Sequence, residues 1–204
     1  MESKAVAAEL GRRTSQDVCL QIVGIGAKRL KLEMPGEFTG VILAGLAGAL
    51  DPTLKVGDIV IDRNPAPNSP SPSTLGEDLG IRYGKIFTSE HLAATVAEKR
   101  RLFQETGCLA VDMEGAIVRA AAESAGLPML NIRAISDPAD QALPERMMRW
   151  VDEVGQPRPT AVAAELAIHP FQIPALIRLG RQSRLAARKM AQAVRQVVQS
   201  EAAF

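Results

Sequence analysis

Residues 111–140, VDMEGAIVRAAAESAGLPMLNIRAISDPAD, constrain the fold more than any other stretch of the chain. An apolar run meets the carboxylates Asp112 and Glu114, and a helical stretch is predicted over 114–125. A turn at Gly126-Leu127-Pro128 leads into a second apolar run, 129–135, which ends on Ser136-Asp137. Strand, helix and strand in this order form the repeating unit of a parallel sheet. The spacing therefore predicts two acidic groups at strand ends, on neighbouring strands. Ligands of open α/β sheets bind at such ends, and carboxylates there can hold sugar hydroxyls or move protons.

The rest of the chain repeats this alternation. Short apolar runs at 18–23, 40–44, 58–61, 85–88 and 108–111 read as strands, several of them beside a glycine turn. Helices are predicted over 90–106, with Ser89 as N-cap, and from Phe171 to the C-terminus. In the helix after Glu114, the residues Ile117, Ala120, Ala121 and Ser124 form a small-residue face suited to packing on a sheet. Residues 64–73 (NPAPNSPSPS) read as an exposed loop, with a lid as the alternative, and 141–160 as irregular. Together these predict an α/β fold: a three-layer α/β/α sandwich around a mixed, mostly parallel twisted sheet. No linker divides the chain, so 1–204 reads as one domain.

Charge and composition exclude several classes. A net charge of +1 leaves no chain-wide footprint for DNA or RNA, and 3% aromatics is too few for base stacking along a single strand. Cys19 and Cys108 lie in apolar contexts and read as buried free thiols. His91 and His169 lie in no Cys/His cluster, so no metal is expected. No apolar stretch approaches the ~20 residues that span a bilayer, and a cytoplasmic location is expected. Within 178–195, Arg178, Arg181, Arg184, Arg188, Lys189 and Arg195 occur with no acidic residue. That pattern reads as a solvated helix face, or as one that meets a membrane surface or another subunit.

Motifs narrow the chemistry further. Gly24-Ile25-Gly26 lacks the third glycine of a dinucleotide fingerprint, since position 29 is arginine, and no GxSxG elbow or P-loop is present. In AGLAGAL (44–50), Gly45 and Gly48 allow backbone amides to approach a ligand.

VILAGLAGALDPTLKVGDIVI, AVDMEGAIVRAAAESAGLP and NIRAISDPAD resemble the purine nucleoside phosphorylase superfamily, and within it the methylthioadenosine/S-adenosylhomocysteine nucleosidases. GKIFTSEHLAATVAEKRRLFQETGCLAVDMEG and the C-terminal region are similar to the hopanoid-associated phosphorylase branch. The resemblance implies cleavage of the N-glycosidic bond of a purine nucleoside, with adenine as the base. It implies that Asp137, supported by Ser136, serves purine N7 from a closed pocket that keeps the carboxyl protonated. It also implies that Glu114 accepts the ribose hydroxyls, that Met113 packs on the sugar and that Arg133 lies near the nucleophile. Asp112, Leu92, Gly45, Leu46 and Ala47 complete the implied substrate-binding set.

No cofactor is implied, although phosphate is an alternative co-substrate to water. A homo-oligomer is implied, and the hopanoid likeness implies a long apolar 5′ group. The chain departs from the family pattern at three places. The first strand is expected to be missing, with Lys4 in register with the family's glutamate and Glu2 as a substitute. Leu46 stands where a hydroxyl residue is common. Leu43 stands where phosphorolytic members place an arginine, with Arg29 as a substitute phosphate contact. These departures leave a degenerate purine- or nucleoside-binding paralogue as the second expectation.

Overall fold

In a computed structural model, residues 19–28, 30, 38–64, 80–144, 147–152 and 158–199 are described. Lys4, Glu2, Arg29 and nearly all of the proline-rich 64–73 segment lie outside them. Six strands form one mixed sheet: β1 (Val41–Ala49), β2 (Ile59–Asn64), β3 (Ile81–Tyr83), β4 (Ile86–Thr88), β5 (Ala110–Asp112) and β6 (Met129–Asp137). Their order is β3-β2-β6-β1-β5-β4. The pairs β1–β6, β2–β3 and β4–β5 run parallel, and β1–β5 and β2–β6 antiparallel. The acidic strand ends are therefore not on neighbouring strands as predicted, because β1 lies between β5 and β6.

Helices cover both faces. The helices are α1 (Val96–Thr106), α2 (Gly115–Ser124), α3 (Pro159–Ile168) and α4 (Ile173–Gln199). Side chains of a strand alternate between faces, and β1 shows the alternation plainly. Ile42, Ala44 and Leu46 pack with Ile132, Ala134, Ala186, Met190 and Val194, beneath α4. Leu43 packs on the other face with Val118, Ala122 and Met129, against α2. The central strand β6 is buried along nearly its whole length, as expected of a strand covered on both sides.

Several expectations are corrected. Residues 19–24 form no strand, and Leu20 and Ile22 are each 53% exposed. Their apolar character is not used for pairing; the segment instead enters a 3-10 turn at Ile25–Ala27, with Gly24 and Gly26 both at positive φ. Helix α1 begins at Val96 and not near residue 90. Its cap is Thr95, whose hydroxyl accepts the Glu98 amide, whereas the Ser89 hydroxyl accepts the His91 amide in a local turn. Helix α2 buries Gly115, Val118 and Ala122; of the expected face, Ile117, Ala120 and Ser124 point to solvent and Ala121 is half-buried. Gly115 sets this roll: a Cβ there would come within 2.7 Å of both Asn131 Nδ2 and Asp112 Oδ2. Helix α3 lies partly within the stretch read as irregular, with Pro159 in its first turn. Both cysteines are free, but Cys19 is exposed and Cys108 half-buried.

Candidate active site

Two acidic centres flank the C-terminal half of β1. The first is built on β5. Asp112 is buried, and each of its oxygens has two polar partners. Oδ1 accepts from Thr88 Oγ1 at 2.8 Å and the Gly115 amide at 3.1 Å. Oδ2 accepts from Asn131 Nδ2 at 2.8 Å and forms an ion pair with Arg133 Nη2, also at 2.8 Å. Three hydrogen bonds and an ion pair thus engage this carboxylate. Asp112 organises its neighbours through these contacts.

Arg133 carries the organisation onward. Its Nε donates to Asn131 Oδ1 at 2.9 Å and its Nη2 to Glu114 Oε2 at 3.1 Å. The guanidinium fits because residue 45, its register partner on β1, is glycine. A Cβ at Gly45 would lie 2.2 Å from Arg133 Nη1. Gly45 thus makes room for the Arg133 side chain. Glu114 sits at the N-cap position of α2 but caps nothing with its side chain. Its Oε1 instead accepts the Gly26 amide at 3.0 Å. The glycine turn at 24–26 and Arg133 together aim this carboxylate, and among the described residues no further donor reaches its two oxygens.

The second centre is Asp137, the last residue of β6, also buried. Ser136 Oγ donates to Asp137 Oδ1 at 2.7 Å. Lys99 Nζ lies 2.5 Å from Asp137 Oδ2. Lys99 comes from the middle of α1, is wholly buried, and shares the inner face of that helix with Leu102 and Phe103. Its ammonium also donates to the carbonyls of Pro138 at 3.0 Å and Gln141 at 2.9 Å. The Leu143 amide donates to the Ala94 carbonyl at 2.8 Å. The loop after Asp137 is thus tied to the segment before α1. The resemblance implied a closed pocket around this carboxyl group; the structure adds Lys99 Nζ against it.

A depression joins the centres. It is lined by Gly48, His91, Leu92, Ala93, Val111, Asp112, Met113, Asp137 and Leu143. Gly48 is needed here too, since a Cβ would approach Asp137 Oδ2 to 3.0 Å. Asp137, Met113, Asp112 and Leu92 are therefore brought together as expected. Ser136, Arg133 and Glu114 stand behind or beside this wall. Leu46 packs toward α4, and Ala47 contributes core packing and a carbonyl 3.3 Å from Ser136 Oγ. Neither lines the depression, because the two-residue period of β1 and the bulge after Ala47 turn their side chains elsewhere. Lys99, His91, Asn131 and Thr88 were missed. Only Lys99 had a local signal, as a lysine in register with Leu102 and Phe103 on the apolar face of its helix. No group of three or more His, Cys, Asp or Glu among the described residues is arranged to hold a metal ion.

Comparison with known proteins follows the same lines. The phosphorylase superfamily profile matches residues 73–167. The chain is 27% identical over 165 residues to the 5′-methylthioadenosine/S-adenosylhomocysteine nucleosidases of Mycobacterium bovis and Mycobacterium tuberculosis. The match covers 56% of this chain, which spans 65% of the length of those relatives. Among solved structures, the Helicobacter pylori nucleosidase of the same name is similar at a TM-score of 0.53 and 19% identity, over 80% of this chain and 69% of that one. Helicobacter pylori futalosine hydrolase gives 0.52 and 20%, over 80% and 69%. The Streptococcus pneumoniae nucleosidase gives 0.54 and 21%, over 80% and 70%. The chain has the fold of these enzymes, and its resemblance to the superfamily is carried by sequence as well.

Proposed function

We propose that the protein cleaves the N-glycosidic bond of a purine nucleoside, with adenine as the leaving base. The observation that carries the reading is the depression in which Asp137, backed by Ser136, shares a wall with Met113 beside Glu114. Breaking an N-glycosidic bond puts positive charge on the sugar and negative charge on the base. In this reading Asp137 hydrogen-bonds and protonates the departing purine. Glu114 accepts ribose hydroxyls and favours the cationic sugar, and Met113 and Leu92 offer apolar surface to sugar and base. The similar proteins named as methylthioadenosine/S-adenosylhomocysteine nucleosidases support this substrate class.

Water is the proposed nucleophile. Leu43, where phosphorolytic members are expected to place an arginine, is buried against Val118 and Met129 and offers phosphate no charge. The assembly is proposed to be a homo-oligomer in the cytoplasm, and no described helix is long and apolar enough to cross a membrane. Ile168, Phe171, Ile173 and Ile177 are exposed near the basic start of α4, which supports contact with an anionic membrane surface by this end of the molecule.

The test is adenine release from adenosine, methylthioadenosine and S-adenosylhomocysteine, with and without phosphate, by wild type and Asp137→Asn. Release without phosphate that is lost in the variant is the expected result. A strict phosphate requirement would make the protein a phosphorylase. Nucleoside binding with no release would leave the degenerate paralogue.

A further inference from the structure

We propose that Lys99 is the resting place of the proton that the departing base takes up. The acid of this site is then a lysine–carboxylate couple and not Asp137 alone. The inference rests on the nucleoside-cleaving reading above.

The geometry leads there in steps. Lysine is almost never fully buried unless paired, and Lys99 is wholly buried. An ammonium has three donors, and Asp137 Oδ2, the Pro138 carbonyl and the Gln141 carbonyl take all of them. Ser136 Oγ occupies the other carboxylate oxygen. A carboxyl group that accepts on both oxygens rests as the anion and has no proton of its own to give. Of the two donors touching it, the ammonium is a far stronger acid than a hydroxyl group and is the one that can release a proton.

As the C–N bond breaks, its electron pair passes to the purine ring, and water adds to the sugar carbon that the base leaves and gives a proton to solvent. A proton moves from Lys99 Nζ to the Asp137 carboxylate, and from the carboxyl group to purine N7. Lys99 is left as a neutral amine and Asp137 again as an anion, and a solvent proton restores the ammonium after the base departs. The two carbonyls on Lys99 hold its nitrogen in place throughout. Lys99 thus acts through Asp137 and needs no contact with substrate.

The test compares methylthioadenosine with p-nitrophenyl riboside, whose leaving group needs no proton. Lys99→Met is expected to cut adenine release at least ~100-fold and nitrophenolate release less than ~5-fold. Lys99→Arg keeps the positive charge but does not give up its proton, so it is expected to show the same split. Equal losses on both substrates, or full adenine release by Lys99→Arg, would overturn the inference and leave a merely positioning role.

Should neither variant fold, calorimetry on wild type decides. A resting carboxylate is expected to bind 9-deazaadenosine, which offers N7–H, at least about ten-fold more tightly than 7-deazaadenosine, which has no polar atom there. Equal binding of the two would overturn the resting anion. Wild type that releases neither leaving group fails the nucleoside-cleaving reading itself, and the proton role with it.

Discussion

Asp112 and Asp137 are both buried aspartates at strand ends, and they are built to opposite purposes. Asp112 is held by three hydrogen bonds and an ion pair with Arg133, drawn from β4, α2 and β6. Asp137 has one hydroxyl and one buried ammonium, and it borders the depression at Gly48. A carboxylate tied to three elements in this way is a fixed support. One held between a lysine and a serine at a cavity wall can exchange a proton with what enters. Burial alone would not have told them apart; the identity of the donors does.

Perturbing each centre should separate the two roles. The largest expected effect is on turnover: Asp137→Asn is expected to lower adenine release by ~10²–10⁴-fold, read by steady-state kinetics. Removing Lys99 strands a buried carboxylate, so Lys99→Met is expected to cost about 3–5 kcal/mol in urea unfolding. The double variant Lys99→Met, Asp137→Leu removes both charges and is expected to recover most of that loss. If it does not, the pair is not the cause. Gly45→Ala forces a methyl group into the Arg133 guanidinium and is expected to cost about 1–3 kcal/mol by the same measurement. Because Arg133 aims Glu114, that variant is also expected to raise KM more than it lowers kcat.

The smallest effect lies outside both centres. Tyr83, the single tyrosine of the chain, is pushed above its ordinary 10.0 by burial, against the opposing pull of Arg63. Folding therefore favours its neutral form. The stabilisation is present below pH 10 and fades as pH rises through the higher folded value. Ultraviolet titration of the phenol should give a midpoint above 10, and a midpoint at or below it would contradict the packing of β3.

Much of this was legible in the sequence, for reasons that differ by element. The apolar runs of β1, β2, β5 and β6 announced themselves, because a strand covered on both faces must be apolar throughout. The carboxylates Asp112, Glu114 and Asp137 were visible as acids placed where such runs end. Strand β3 is only three residues long and offered no pattern. Helix α3 has apolar and small residues all round and so no helical stripe. The roll of α2 was misread because it depends on Gly115 meeting Asn131 and Asp112, which come from other strands. The Lys99–Asp137 pair joins residues 38 apart in sequence, and only the folded sheet brings them together. The structural partners of Asp112 were hidden for the same reason: Thr88, Asn131 and Arg133 come from other strands.

One paired measurement tests the central contrast most directly. Asp112→Asn and Asp137→Asn are compared for urea stability and for adenine release per folded molecule. The account expects Asp112→Asn to lose about 3 kcal/mol and to keep adenine release within ~10-fold of wild type. It expects Asp137→Asn to lose turnover by at least ~100-fold at a ligand affinity close to wild type. Full turnover in Asp137→Asn, with activity abolished in a stably folded Asp112→Asn, would reverse the two roles and contradict the account.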